Sequence, residues 1–268
     1  MDAGQGSYWD HVIIDPDTKL VVSLVVGRRN ADTVVQLFTD FYRRTDGYLP
    51  ELICTDEYAV YETVILDTYG VFKHELGLTA AEYKKFGRDQ AADFSFPEEI
   101  AYATVHKGKE GGRVVGVSTR VLYGSEEQVG QTLQESERSQ TINTSFVERY
   151  HGTQRQFNAR KKRKCYTFSK ELSFHEAATW LVVLWYNFGW CVRTPRQKVQ
   201  EDPPRYHPRT PAMAAGLADQ PWPMQELLGY PLYPPSNATP PGKARTYQEV
   251  LERLKEVERK VASDPEAL

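Results

Sequence analysis

After a short polar lead, the chain opens on two runs of β-branched residues, WDHVIID and LVVSLVVG. Between them stands Asp15-Pro16-Asp17-Thr18, good turn chemistry, so the pattern predicts a β-hairpin. The period then changes. Val34, Leu37, Phe38 and Phe41 recur at helical spacing behind Asn30, a good N-cap, so ADTVVQLFTDFYRRT predicts a helix with one apolar face. Pro50 closes the connection. ELICT predicts a short apolar strand with Asp56 at its C-terminal end, and Tyr58 to Tyr69 predicts a second helix. The stretch from Val71 to about Ser139 is less regular, but TVHKGKEGGRVVGVSTRVLYG reads as a further hairpin with Gly111-Gly112 near its turn. Asn143 to Lys164 predicts a helix ending in a basic run, and Leu172 to Phe188 a longer, more apolar helix.

Beyond Arg193 the composition shifts. Pro203 to Pro211 and Pro231 to Pro241 are rich in proline and predict extended linkers or surface arms. TYQEVLERLKEVERKV predicts an amphipathic helix. Thr246 and Glu249 fit a capping box, and Leu251, Leu254, Val257 and Val261 form an apolar stripe that packs on the body, packs on a second copy, or belongs to a solvated tail. The order predicts a core over residues 1–195, a proline-rich arm over 196–242 and a C-terminal helix over 243–268. No internal repeat is visible.

Composition narrows the class. Of 268 residues, 40% are hydrophobic, 12% aromatic and 26% charged, which is the balance of a folded globular chain. The net charge is -3, so a nucleic-acid partner has to be met by a local patch. Cys54, Cys165 and Cys191 are scattered, with no C-x-x-C pair. That speaks against a zinc site and a disulfide framework and fits a reducing cytoplasm. The N-terminus has neither the basic nor the apolar region of a signal peptide, and the most apolar run, AATWLVVLWYNF, is too short to span a bilayer. No membrane partner is expected.

Two carboxylates are candidates for chemistry. Asp56 ends a buried strand, where open α/β sheets place their ligands, although Thr55-Asp56-Glu57 is also a good helix start. Glu148 stands in Ser145-Phe-Val-Glu148, which also fits a capping box. Taken alone, the spacing favours the capping role for each. The surroundings of Glu148 change the balance. From Asn143 to Lys170 it is the only acid among eight Lys or Arg residues: Arg149, Arg155, Arg160, Lys161, Lys162, Arg163, Lys164 and Lys170. Tyr150, Phe157, Tyr166 and Phe168 are threaded among them, with Gln154, Gln156, Asn158, Thr167 and Ser169 as donors. That mixture suits contact with a phosphate backbone. A lone carboxylate there repels phosphate unless a divalent cation inverts the sign.

At these residues the chain resembles a known family. TINTSFVERYHGTQRQFNARKKRKCYTFSK is similar to the segment around the last catalytic carboxylate of bacterial insertion-sequence transposases of the DDE class. TDEYAVYETV resembles the segment of their second carboxylate, and WDHVIIDPDTKLVVSLVVG the strands that follow the first. YNFGWCVRTPRQ and TPAMAAGLADQPWPMQELL resemble the family's C-terminal region, so the likeness runs in order from Trp9 to about Leu228. The resemblance implies an α/β, ribonuclease-H-like mixed sheet flanked by helices, here with an extra C-terminal helix. It implies three acids holding two Mg²⁺ (or Mn²⁺) ions, double-stranded DNA of transposon ends and target as substrate, a homo-oligomer, and a bacterial, cytoplasmic, nucleoid-associated setting. Asp56 then takes the second acid's place and Glu148 the third's, with Arg149, Arg155, Arg160, Lys161 and Lys162 on the DNA backbone.

The first acid has no counterpart here. In the family it lies in a segment like D-E-x-W on the first strand, and nothing in MDAGQGSY matches it or the small N-terminal DNA-binding module. The expectation is an N-terminally truncated copy, its sheet lacking the first strand and one edge left open, with two of three metal ligands and impaired strand cleavage and transfer. Asp15 falls in the predicted turn and Asp10 on the second strand, so neither is expected to substitute. Two other readings carry forward: a non-catalytic DNA-binding or inhibitory remnant, and a ribonuclease-H-like nuclease.

Overall fold

The computed structural model describes residues 8–69, 71–72, 94–162, 166–200, 202–203 and 205–229. Two compact units are distinguished, residues 1–71 with 96–229, and residues 72–95 with 230–268. Almost all described residues belong to the first, which is a mixed α/β body of small sheets flanked by helices. The helix expected after Thr246 and the proline-rich stretch from Pro231 to Pro241 lie outside the described residues.

β1 (Trp9–Ile14) and β2 (Val21–Gly27) form the expected antiparallel hairpin. Asp15 fixes its turn: its carboxylate oxygens accept the backbone N–H groups of Asp17 at 3.1 Å and Thr18 at 3.2 Å, an Asx turn. The turn is tied down from outside. Asp17 accepts from the Ser136 hydroxyl at 2.6 Å and from the Arg138 N–H at 3.0 Å. The Lys19 ammonium lies 3.4 Å from the centre of the Phe146 ring.

α1 (Ala31–Arg44) starts where Asn30 predicts, with the Asn30 side chain accepting the Thr33 N–H at 3.2 Å. It buries Val34, Leu37, Phe38 and Phe41. β3 (Leu52–Asp56) leads into α2 (Ala59–Tyr69), and β4 (Val71–Phe72) pairs with β5 (Phe94–Ser95). β6 (Ala101–Glu110) runs parallel to β3 and antiparallel to β7 (Arg113–Tyr123), giving a three-stranded sheet in the order β3-β6-β7. Gly111 and Gly112, at φ +56° and +80°, make the β6–β7 turn, a conformation that costs glycine least.

Among the described residues no strand joins the β1–β2 and β3-β6-β7 sheets, yet they share helices. Ile13 of β1, Ile53 of β3 and Tyr102 of β6 pack with Val34, Phe38, Val64 and Ile65 of α1 and α2. The other face of the first hairpin, Val12, Ile14, Val21, Leu24 and Val26, packs under Tyr150, Trp180, Val183 and Tyr186.

α3 (Glu126–Glu135) falls within the stretch that the apolar pattern leaves irregular. Ser125 caps it, accepting the Gln128 N–H at 3.1 Å. α4 (Ser145–Phe157) is shorter than Asn143 to Lys164. It stops at Asn158, in extended backbone, whose side chain accepts the Arg160 N–H at 3.1 Å and opens a separate 3₁₀ turn over Ala159–Lys161. Asparagine competes with the helix for its own local hydrogen bonds, and here it ends α4. α5 (Leu172–Leu184) continues into a wider π turn at Trp185–Gly189. That turn aims Asn187 at β2: Nδ2 donates to the Val21 carbonyl and Oδ1 accepts the Val21 N–H, both at 3.0 Å and buried. Asn187→Ala strands both backbone groups and is expected to cost about 2–4 kcal/mol of folding free energy, read by urea denaturation.

Pro203 to Pro211 is not an extended arm. β8 (Val192–Gln200) and β9 (Arg205–Arg209) pair antiparallel across it. Both strands of a two-stranded ribbon are edges, so Pro195 and Pro208 leave no partner without a donor. Two short helices, α6 (Pro211–Ala214) and α7 (Met224–Gly229), follow.

Candidate functional site

Strand alternation places the acids. Cys54 pairs with Ala103 and Asp56 with Val105, and alternate residues of a strand share a face, so Cys54, Asp56, Val105 and Lys107 face the same way. Ile53, Thr55 and Tyr102 face α2 instead. The Cys54 thiol meets the Asn143 backbone just before α4, and burial pushes it up to about 11. Lys107 reaches Glu148 on α4: its ammonium donates to Glu148 Oε1, and to the Thr144 hydroxyl at 3.3 Å. Asp56 and Glu148 thus stand on one side of the sheet, at the C-terminal end of β3.

Neither acid behaves as a plain helix cap. Thr144, the N-cap of α4, makes no side-chain capping bond, and the Glu148 carboxylate accepts from the Thr144 hydroxyl at 3.1 Å rather than from a backbone N–H. The Lys107 hydrogen bond, with its charge, holds the Glu148 carboxyl below the usual carboxylate range. Its side chain is 57% exposed and open to a ligand. Asp56 is exposed and accepts the Tyr58 N–H at 3.3 Å, a local turn at the strand end. Beside it Arg29 lies between two rings, 5.2 Å from that of Trp9 and 4.4 Å from that of Tyr58, and the Tyr58 hydroxyl donates to the Arg29 carbonyl at 2.9 Å. His106 pairs with Glu57 at the same edge. Patterning singled out none of Trp9, Arg29, Tyr58, Lys107 or His106. The Arg28-Arg29 doublet at the end of an apolar strand was the available signal.

The basic residues divide. Arg149, Arg155, Arg160 and Lys162 are exposed. Arg160 donates to the Ser169 hydroxyl at 3.1 Å. Lys161 does not join them. The Asn158 turn swings its side chain inward to pair with Asp10 of β1, leaving the lysine 7% and the aspartate 12% exposed. The ammonium expected on DNA is therefore engaged inside the protein. Burial lowers the Lys161 pKa, opposed by Asp10. Asp10 is not free to act as a third acid beside Asp56 and Glu148 while it holds Lys161, with His175 Nε2 3.8 Å from its other oxygen.

His175 lies beside this pair, His11 and His151 feel the charge of Asp10, and burial pulls all three below the ordinary 6.5. Asp10 opposes the shift in all three, while Arg29 lowers His11, Arg155 and Lys161 lower His151, and Lys161 and Arg160 lower His175. Groups kept neutral by the fold bind fewer protons folded than unfolded, so stability falls as the pH drops below 6.5 and continues to fall until the folded groups titrate. Thermal melting followed from about pH 8 to about pH 5 should give a melting temperature that declines on the acid side.

Comparison of the chain with protein-family models, curated proteins and solved structures finds no match.

The donor set can be weighed against the implied ions. Two carboxylates on one face, one of them holding a lysine ammonium where a cation would stand, suit a divalent ion in charge. Among the described residues, however, no group of three His, Cys, Asp or Glu side chains is placed to hold a metal. The described residues do not complete a two-ion site. No described helix is long and apolar enough to cross a membrane.

Proposed function

We propose that this chain is the catalytic body of a DDE-class transposase, binding double-stranded DNA across the face that carries Asp56, Glu148 and the exposed arginines of α4. The observation that carries the reading is the register of β3 and β6, which turns Asp56 and Lys107 to one side of the sheet, with Lys107 reaching Glu148, 92 residues from Asp56 in sequence and on the same helix as the arginines of α4. The order of the strands supports a ribonuclease-H-like core. An antiparallel hairpin, a helix, then a strand whose next partner is parallel follow the family's order, and the two sheets lie on shared helices with no strand between them among the described residues. The cation implied by the resemblance, Mg²⁺ or Mn²⁺, would be held by Asp56 and Glu148 and would supply Lewis-acid chemistry, but among the described residues no third ligand stands with these two acids. The arginines of α4 would position the phosphate backbone beside them.

One observation favours a second reading, a non-catalytic DNA-binding chain: Lys107 already neutralises Glu148. Nicking of supercoiled plasmid in Mn²⁺, beside Glu148→Ala, separates the two. Nicking that disappears in the variant supports the catalytic body. Duplex binding that weakens with salt, without metal-dependent nicking, supports the second reading. Absence of duplex binding contradicts both, and cleavage confined to RNA–DNA hybrids would point to a nuclease instead.

A further inference from the structure

The ribbon of β8 and β9 carries Arg193, Arg196, Lys198, Arg205 and Arg209, with His207, and no acid on either strand, against Glu201 and Asp202 in the link between them, in a chain whose net charge is -3. Arg209 Nε donates to the Pro195 carbonyl at 2.7 Å and pins the base of the ribbon. Further out, Gln197 to Gln200 and Arg205 to His207 are exposed. Lys198 stands opposite Tyr206, and alternate residues share a face, so Arg196, Lys198 and Tyr206 lie together. The Arg196 guanidinium sits over the Tyr206 ring, 3.6 Å from its centre. Tyr206 is 40% exposed and Val199, on the opposite face, 62%.

Gathered like charges repel one another, and a polyanion relieves that repulsion. Shape narrows the polyanion. Two strands about 4.8 Å apart, with their side chains, fill a groove about 12 Å wide, the width of the major groove of duplex DNA. Arginine held planar on an aromatic ring is a rigid donor fork for base edges or phosphates. We propose that the β8–β9 ribbon is a DNA-binding element that enters the major groove, with Arg196 and Tyr206 toward the base edges and Arg193 and Arg205 on the flanking phosphates. The partner rests on the DNA reading above.

The test compares the whole chain, a ribbon variant (Arg193→Ala with Arg205→Ala) and an α4 variant (Arg149→Ala with Arg155→Ala). Fluorescein-labelled duplex DNA is titrated at several salt concentrations, with dimethyl sulfate footprinting of guanine N7. The ribbon variant is expected to melt as the unaltered chain does, to bind about 10-fold more weakly near 0.1 M salt, and to lose about 1.8 from the slope of log K against log salt. It also loses N7 protection that the α4 variant keeps. A lysine version of the two ribbon arginines keeps the slope. Unchanged affinity and slope overturn the proposal, and so does an unaltered chain that leaves guanine N7 unprotected. Unchanged duplex binding with lost binding to anionic phospholipid vesicles would assign the ribbon to a lipid surface and overturn it too. Loss in the ribbon variant alone upholds the ribbon against the α4 surface, loss in the α4 variant alone does the reverse, and no duplex binding by the unaltered chain overturns both.

Discussion

Lys161→Ala is expected to destabilise the fold by about 3–5 kcal/mol, because it leaves the Asp10 carboxylate charged and enclosed without its cation. The pair lies under the helices that cover β1, so water does not replace the lost partner as it would at the surface. The penalty comes from the stranded charge rather than from the worth of the pair. Removing both charges together, Asp10→Asn with Lys161→Met, should therefore recover most of the loss. Urea denaturation of the two variants checks this. If Lys161→Ala unfolds at the unaltered midpoint, Lys161 is a surface cation after all, and its place on the DNA backbone returns.

Replacing Arg149, Arg155 and Arg160 together by alanine is expected to weaken duplex binding by about 100-fold near 0.1 M salt and to lower the salt slope by about 2.7. All three side chains are exposed, so the fold should not change. The physical reason is counterion release: each phosphate neutralised by a guanidinium frees condensed cations, and the salt slope counts these contacts. Equilibrium binding over a salt series gives both numbers at once. A loss of affinity with an unchanged slope would mean that the arginines hold the protein surface in shape without touching phosphate.

Much of the scaffold was legible because its signals are local. Asn30 starts α1, Asp15 makes the first turn, Gly111-Gly112 the later one, and Asp56 ends β3 where the apolar run stops. The misreadings were local as well. Asn158 breaks α4 by bonding to its own neighbours, and the helix pattern alone carries no penalty for that. Ser125-Glu-Glu-Gln128 is a capping signature for α3, but Val129 is the one buried residue the helix offers, so no apolar stripe marks it. The prolines of β8 and β9 argue against strands only where both edges are paired.

The site was legible in part. Asp56 and Glu148 can be named from sequence, and the side of the sheet that Asp56 shares with Lys107, the partner of Glu148, follows from the parity of β3 and β6 once their register is known. Their partners could not be named. Lys107 lies 41 residues from Glu148 and Lys161 151 residues from Asp10, and no spacing rule spans such distances. Eight cations around one acid read as a single surface, whereas the fold turns one of them, Lys161, inward and leaves Arg149, Arg155 and Arg160 outside.

The central claim is that duplex DNA lies across the face of Asp56 and Glu148. Amide hydrogen exchange of the whole chain, with and without duplex DNA, tests it most directly. Slowed exchange is expected in Asp56 to Tyr61 and in the Ser145 to Lys162 segment when DNA is bound. Binding that slows exchange only elsewhere, for example in α1 or α3, would contradict it.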